Sequence, residues 1–440
     1  MTSPATGATH LAETPALLVV HTVDGALSLQ DLLTGLRGHK AVVIVVDDDP
    51  PRREALVEVI EASGLEAVGT DRATRPEELV ARLGTRAWAG AMTFAESTLR
   101  LTDVLAERLG LSHNGTRTIT ALTDKREQRR LLSAAGVPCP VVRTLTHPDD
   151  WPEVRRAVSG PCVVKPARGF GSASTFGLDD GDTTLPEAVI DGLLAAVPFV
   201  VESRLVGVPR PPFGDYVSVE SVVTSGTVRH LAVTGKLPLV EPFRETGQFI
   251  PADLTGQEHL ACLEMTGRAL QALGVQVGIC HTELKLTPEG PRVIEVNGRL
   301  GGYIGDLLRR GLGLDPVALA VAAAQGVPGP AQDRTPEGVV LNWTSLPPVE
   351  ARVVLGIDGV PDVRTSPGVV GYVSYVRAGH RLRADGGTEE LDVLRAGCET
   401  TAEVVPTLRR ALGHLRVQFA DADGSRSTWS GADLPGGRAL

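Results

Sequence analysis

Residues 282–299 read TELKLTPEGPRVIEVNGR, two strand-like stretches joined by the turn Thr287-Pro288-Glu289-Gly290-Pro291. Alternation along a strand sends every second side chain to one face, so Glu295, Asn297 and Arg299 are expected to share a face. A hairpin brings Glu283 beside Glu295 on that face. Two carboxylates, an amide oxygen and a guanidinium then meet in a small volume flanked by the apolar Val293, Ile294 and Val296. Burial and mutual repulsion both oppose an unpaired couple of carboxylates. A hard cation such as Mg²⁺ removes the conflict, because it takes one or two carboxylates together with substrate phosphates. Arg299 would face the anion that the metal holds. The competing reading is an amphipathic hairpin with a wet, charged face, the ordinary meaning of alternating charge. The rest of the chain decides between them.

Composition narrows the field. With 440 residues, 42% of them hydrophobic, the chain has material for a sizeable core and about three domains or subdomains. The formal charge of −10 and the lack of a long basic run argue against nucleic acid as a partner, while a local basic pocket for phosphate stays open. Five scattered cysteines, odd in number and without a CxxC pair, suit a reduced intracellular chain with neither a disulfide framework nor a thiolate zinc site. Met1 to His10 does not read as a signal peptide, and apolar runs such as Ala41 to Val46 are too short to span a bilayer. The expectation is a soluble, cytoplasmic protein with no membrane partner.

Strand and helix patterns alternate through the first hundred or so residues: strands at Leu17–Val20, Ala41–Val46, Leu65–Gly69 and Ala89–Phe94, helices at Arg53–Ser63 and Ser97–Leu109. This is an open α/β domain, in which the acidic Asp47-Asp48-Asp49 reads as a solvated helix-entry turn. A long helix pattern runs from Thr116 to Ala135 and ends at Gly136-Val137-Pro138. Strands follow at Pro161–Pro166 and Phe199–Glu202, then a hairpin of Tyr216–Val223 and Val228–Gly235 around Ser225-Gly226. Gln257–Leu273 is a helix leading into the acidic hairpin, and Leu314–Gln325 an Ala-rich helix. Beyond the Pro/Gly-rich Val327–Pro336 the chain turns to short strands, with a closing helix near Thr400–Leu412 and a loosely structured end, Gly424 to Leu440.

Lys165 ends an apolar strand and is followed by Pro166-Ala167-Arg168-Gly169-Phe170-Gly171-Ser172-Ala173-Ser174. Small residues let backbone N–H groups wrap a phosphate, and the lysine adds a point charge. The loop is neither a Walker loop nor a full dinucleotide fingerprint. Lys125 sits at a helix start forty residues upstream, where a lone lysine is ordinarily solvated.

The order of these features resembles the ATP-grasp superfamily. A lysine at a helix start (Lys125) precedes a strand-Lys-Pro-Gly-rich loop (Lys165; Gly169 to Ser174) and a Val-Glu hinge (Val201-Glu202). A further strand (Tyr216 to Glu220) then leads to paired acids ending in E-x-N-x-R (Glu283, Glu295, Asn297, Arg299). The spacing of the two acids is similar to that of biotin carboxylase. The resemblance covers roughly Leu111 to Gly326. It implies an N-terminal Rossmann-like pre-ATP domain at 1–115 and an ATP-grasp domain at 116–330, with a lysine/glycine-loop subdomain at about 136–205. A β-rich C-terminal lid would occupy 331–440, so the fold class is α/β and α+β.

Residue by residue, the resemblance implies that Lys125 and Lys165 contact ATP phosphates and that Gly169, Gly171, Ser172 and Ser174 close over them. Main-chain groups near Val200 and Val201 would hold the adenine edge, with Glu202 and Leu205 bordering base and ribose. The ribose contact is left open among Tyr216, Ser218 and Asp215. Glu283, Glu295 and Asn297 would hold Mg²⁺, two ions by family habit, for which Mn²⁺ can substitute. Lys236, Glu245-Thr246-Gly247-Gln248 and Asn297-Gly298-Arg299-Leu300-Gly301-Gly302 look like the substrate loops of L-amino-acid ligases of the bacilysin-synthetase type. There Glu245 would meet an amino group and Arg299 a carboxylate or acyl phosphate. Gln248 stands where that group usually has histidine, which implies a different substrate choice.

These implications add up to an ADP-forming carboxylate–amine ligase that works through an acyl phosphate, with Lys165 and Arg299 at the chemistry. The acyl donor would be an amino acid, and the amine a second amino acid, a peptide or a carrier-bound group. The rivals are a nucleotide-binding sensor or scaffold without chemistry and a biotin-carboxylase-like enzyme that activates bicarbonate. Intact lysines and acids speak against the first, and the lack of a biotinyl-lysine motif against the second. The resemblance allows a homodimer, to which no residue in the sequence points.

Overall fold

The strands β1 (Ala16–His21) and β2 (Ala41–Val46), ALLVVH and AVVIVV, are buried at every position. Near-continuous apolar runs of this kind belong to parallel sheets covered on both faces. With β3 (Glu66–Thr70) and β4 (Trp88–Thr93) they form a parallel sheet of order β3-β2-β1-β4. Leu18, Val20, Val42 and Ile44 pack with Leu79, Leu83 and Leu105 on one face, and Leu17, Val19, Val43 and Val45 pack on the other. That second face meets the helices Ile304–Leu312 and Pro316–Ala324, which join the sheet to the rest of the chain. The computed structural model describes residues 14–169, 171, 174–329, 336–383 and 389–440.

A smaller antiparallel sheet, of order β5-β8-β6-β7, is made from β5 (Val142–Leu145), β6 (Cys162–Pro166), β7 (Phe176–Leu178) and β8 (Phe199–Ser203). Its core of Trp151, Val164, Val189, Phe199 and Val201 is separate from the others. The largest sheet has eight strands. β9 (Tyr216–Thr224), β10 (Thr227–Lys236), β11 (Gly247–Ile250), β12 (Gly278–Thr287) and β13 (Gly290–Asn297) belong to it, and so does β14 (Val339–Trp343). The chain then leaves for β15 (Ala351–Asp358) and returns to the sheet as β16 (Val369–Ser374) and β17 (Asp392–Cys398), giving the order β13-β12-β9-β10-β11-β14-β17-β16. β15 pairs with β18 (Arg416–Asp421) and β19 (Arg426–Ser430) in a three-stranded sheet.

Period-2 alternation, shifted by a register break between the Glu283–Glu295 and Leu284–Val293 pairs, splits the middle of the large sheet into two faces. Val217, Val219, Val233, Leu284, Val293 and Val296 go to a core beneath the helix Gly256–Leu273. That helix starts with a capping box, in which Thr255 Oγ1 accepts from Glu258 N while Glu258 accepts from Thr255 N, and it ends at Gly274 with φ of 74°. The opposite face carries Ser218, Glu220, Thr234, Lys236, His281, Glu283, Glu295 and Asn297.

Three expectations need correction. The pattern from Thr116 to Ala135 is two helices, Thr116–Thr123 and Lys125–Ala134, broken at Asp124. There the backbone is extended (φ −134°, ψ 111°) and the carboxylate accepts from Arg126 N, so Asp124 caps a fresh helix with Lys125 at its first position. The end of the chain is structured: β19 pairs along β18, and Leu434 is wholly buried, because the last turn covers the core around Trp343 and Phe419. The acidic turn is not wholly solvated, since buried Asp47 accepts from Arg52 at 2.5 and 2.7 Å. All five cysteines are free, and among the described residues no helix is long and apolar enough to cross a membrane.

Candidate active site

Strand register builds the site. Across β12 and β13, Glu283 faces Glu295 and His281 faces Asn297; across β9 and β12, Ser218 faces Glu283 and Glu220 faces His281. The polar face is therefore a grid, with rows Ser218–Glu283–Glu295 and Glu220–His281–Asn297. It floors a cleft of about 1160 Å³ whose opposite wall is the small sheet.

Cations converge on the acids. Lys125 Nζ lies 3.0 Å from Glu295 Oε1 and donates to Gly169 O at 2.7 Å. The helix start is fixed against the loop as well, since Lys125 N donates to Ala167 O at 2.8 Å. Lys165, at the end of β6, lies 2.9 Å from Glu202 Oε2, and Glu202 also accepts from buried Arg129 at 2.8 and 3.3 Å. Arg129 further donates to Ile294 O, tying the small sheet to β13. Burial alone would raise the Glu202 carboxyl, but Arg129 and Lys165 outweigh it and hold it near 2. Glu295 is likewise lowered against its burial by Lys125 and Lys165, and Lys125 is raised against its burial by Glu295 and Glu96.

The sequence-derived residues divide on contact with the structure. Lys125, Lys165, Gly169, Gly171, Glu202 and Leu205 line one side of the cleft. Glu283, Glu295, Asn297, Arg299 and Gly302 line the floor, with Lys236 and Glu245 at the far end. Val200 and Val201 do not reach it. They are wholly buried in β8, an interior strand whose backbone is paired to β5 and β6, and the residues that line the cleft there are Glu202 to Leu205. The Glu202 carboxylate, while lining the cleft, is the counter-ion of Arg129 and Lys165. Arg299 lies beyond the last residue of β13, so it leaves the alternation that was to align it with Asn297. Its Nη1 donates to Leu300 O at 2.9 Å, and its Nη2 lies 3.5 Å from Asn297 Oδ1 and 3.6 Å from Glu96 Oε2. Of the three ribose candidates, Ser218 is wholly buried and donates to Glu220, whereas Asp215, paired with Lys285 at 2.6 Å, and Tyr216 both line the cleft. Ser174 has φ of 52° at the end of the glycine loop, and Ser172 lies outside the described residues.

At the far end Lys236, 2% exposed, donates to Glu245 Oε1 at 3.1 Å and to Gln248 Oε1 at 2.8 Å. Tyr216 donates to the same Glu245 oxygen at 3.2 Å. Gln248 is buried and holds this wall together, its amide nitrogen donating to Gly302 O at 2.5 Å. Gly301 lies behind the wall, against the His281 ring.

Two acids were missed by the sequence reading. Glu96 follows β4, and burial together with the charge of Glu295 pushes its carboxyl up to about 7, against Arg299 and Lys125. Glu390 precedes β17, accepts from Tyr303 Oη, and is pushed by burial to about 7. Neither sits in a motif, and only the packing of distant segments brings them to the cleft.

The donor set suits a hard cation in part. Among the described residues no group of three or more His, Cys, Asp and Glu side chains could by itself hold a metal. Two carboxylates opposed on adjacent strands, beside an amide oxygen, leave the other positions of an octahedron to water and phosphate oxygens, the usual arrangement for Mg²⁺.

Comparison with known proteins bears on the fold. The protein-family model of an ATP-grasp domain matches residues 122–303. An uncharacterized protein of Sinorhizobium fredii is 27% identical over 316 residues, 68% of this chain and 61% of its own length. Alanine–anticapsin ligase of Bacillus subtilis is 26% identical over 214 residues, 45% of each chain. This chain thus spans less than two thirds of the length of these curated relatives. The crystal structure of L-amino acid ligase from Bacillus licheniformis superposes with a TM-score of 0.73 at 20% identity, covering 92% of this chain and 99% of that one. Residues 122–303 match the ATP-grasp domain, and the chain has the ATP-grasp fold.

Proposed function

We propose that the protein is an ATP-dependent carboxylate–amine ligase that forms an amide through an acyl phosphate, with an amino acid as acyl donor. One observation carries the reading: opposed Glu283 and Glu295, with Asn297, share a single cleft with Lys125, Lys165 and Arg299. The relationship to alanine–anticapsin ligase supports the choice of an amino acid.

Lys125 and Lys165 hold phosphate oxygens of ATP, and Gly169, Gly171 and Ser174 shield them from water. Mg²⁺ held by Glu283, Glu295 and Asn297 would neutralise phosphate charge and align the transfer. Arg299 orients the donor carboxylate, one oxygen of which bonds to the γ-phosphorus as the bond to ADP breaks. The amine nitrogen then bonds to the acyl carbon, phosphate leaves, and the nitrogen gives up a proton. Arg299 stabilises the oxyanion of that second step, and Glu245 meets the amino group.

The test is incubation with Mg²⁺, ATP and pooled amino acids, with nucleotides read by chromatography and products by mass spectrometry. ADP with a condensed amide mass is the expected result; AMP with pyrophosphate would overturn the acyl-phosphate route. Glu295→Gln should lower turnover by about a thousandfold or more, equivalent to about 4 kcal/mol of transition-state stabilisation, with an unchanged circular dichroism spectrum. Near-normal turnover in that variant removes the metal assignment.

A further inference from the structure

In the cleft floor and just behind it lies a pair of ionisable residues, the lining His281 and the buried Glu220, with no part in the chemistry above. Glu220 on β9 and His281 on β12 are register partners, 0% and 3% exposed. Glu220 accepts from Ser218 Oγ at 2.8 Å, from Thr234 Oγ1 at 3.4 Å and from His281 Nδ1 at 2.9 Å. Stability does not account for them. Exchanging a buried ion pair for apolar residues of similar volume is often neutral or stabilising, and β9 fills its other face with valines.

The arrangement has a direction. With Nδ1 facing Glu220, the imidazole ring is fixed, and its Nε2 points at Glu283 Oε1, 3.4 Å away. The ring needs the space that Gly301 leaves: a Cβ there would come within 2.5 Å of Nδ1 and 2.7 Å of Cε1. Four residues from three separate segments, Ser218, Glu220, His281 and Gly301, therefore determine where one cleft carboxylate points. An ion-pair contact to one oxygen biases the plane of a carboxylate and leaves its second oxygen to a cation.

We propose that Glu220 and His281 are positioning residues that hold Glu283 in the orientation in which it takes a divalent cation, an inference resting on the reading of Glu283 as a metal acid. Groups that orient a metal ligand in this way change metal affinity by about 10- to 100-fold when removed.

The test measures Mn²⁺ binding to the full chain with ADP, from the electron paramagnetic resonance signal of free Mn²⁺. Asparagine at 281 keeps an amide donor near the Nδ1 position, towards Glu220, and glutamine places one near Nε2, towards Glu283. His281→Asn and Glu220→Gln should weaken Mn²⁺ binding by about tenfold or more in variants that remain folded, and His281→Gln should recover most of the loss. Equal binding by wild type and folded His281→Asn overturns the proposal, as does equal weakening by the Asn and Gln variants, which a packing role alone would give. If the position-281 variants do not fold, Ser218→Ala removes one donor to Glu220: weaker Mn²⁺ binding supports the inference and unchanged binding overturns it. A wild type that holds ADP without Mn²⁺ refutes the metal reading itself, and shows it before any variant is made.

Discussion

β1 and β9 are both buried at every position, but β1 reads Ala-Leu-Leu-Val-Val-His and β9 places Ser218, Glu220 and Ser221 among its valines. In β1 both faces meet apolar layers, and packing explains the strand from Leu17 to Val20. In β9 one face does the same work, while the other buries a carboxylate that the fold does not require. Burying charge costs several kcal/mol per ion unless partners offset it, so a strand that does so is organised around something other than packing. The same contrast separates the polar network at the root of the cleft, Arg129–Glu202–Lys165, from the leucines and valines of the parallel sheet.

That contrast can be broken from either side. Arg129→Leu should have the largest effect on stability, since it leaves Glu202 buried with Lys165 alone. About 4 kcal/mol should be lost in urea unfolding, and the double variant Arg129→Leu/Glu202→Leu should recover much of it. A single variant as stable as wild type would mean that the network is solvated.

His21, at the polar end of β1, sharpens the comparison through pH. Burial lowers its pKa from 6.5 to about 4, against the opposing charge of Asp24. Its neutral form is therefore the one the fold keeps. The stability it contributes is present above about pH 6.5 and is lost as the pH falls towards 4. Over that window wild type should lose roughly 3 kcal/mol more than His21→Gln, compared by denaturant midpoints at each pH. Parallel curves for the two proteins would show that the His21 ring is hydrated.

Ile44→Val in β2 should have the smallest effect, about 1 kcal/mol in the same assay, with cleft chemistry unchanged. A change in nucleotide turnover would couple the parallel sheet to the site more tightly than its packing suggests.

The sequence was most legible where local periodicity and chemistry coincided. Alternation alone placed Glu295 and Asn297 on one face, and the hairpin turn brought Glu283 opposite Glu295 in the register expected. It failed where a partner is distant. Arg129 looks like one more polar residue on a helix, and its burial follows from Glu202, 73 residues away. For the same reason the sequence did not show that Glu202 is tied to Arg129 and Lys165. Val200 and Val201 were misplaced because a sequence does not reveal whether a strand is interior or at an edge. Glu96 and Glu390 gave no local signal, but Ser218 and Glu220 did: two polar residues at period 2 within a valine strand mark a buried polar face.

The ladder between β11 and β14 matches Gly247 to Trp343, Gln248 to Asn342, Phe249 to Leu341 and Ile250 to Val340. Its two strands come from opposite sides of the Pro/Gly-rich stretch near residue 330, and β11 carries Gln248, which braces Lys236 and Gly302. The end of the chain is therefore poorly suited to recombination as a cassette. A chimaera joined near residue 330 would set a foreign β14 against this β11 and disturb the substrate wall through the backbone, even with every cleft residue retained. Crossovers that keep β11 and β14 from the same parent should yield folded hybrids more often than crossovers placed at the apparent linker.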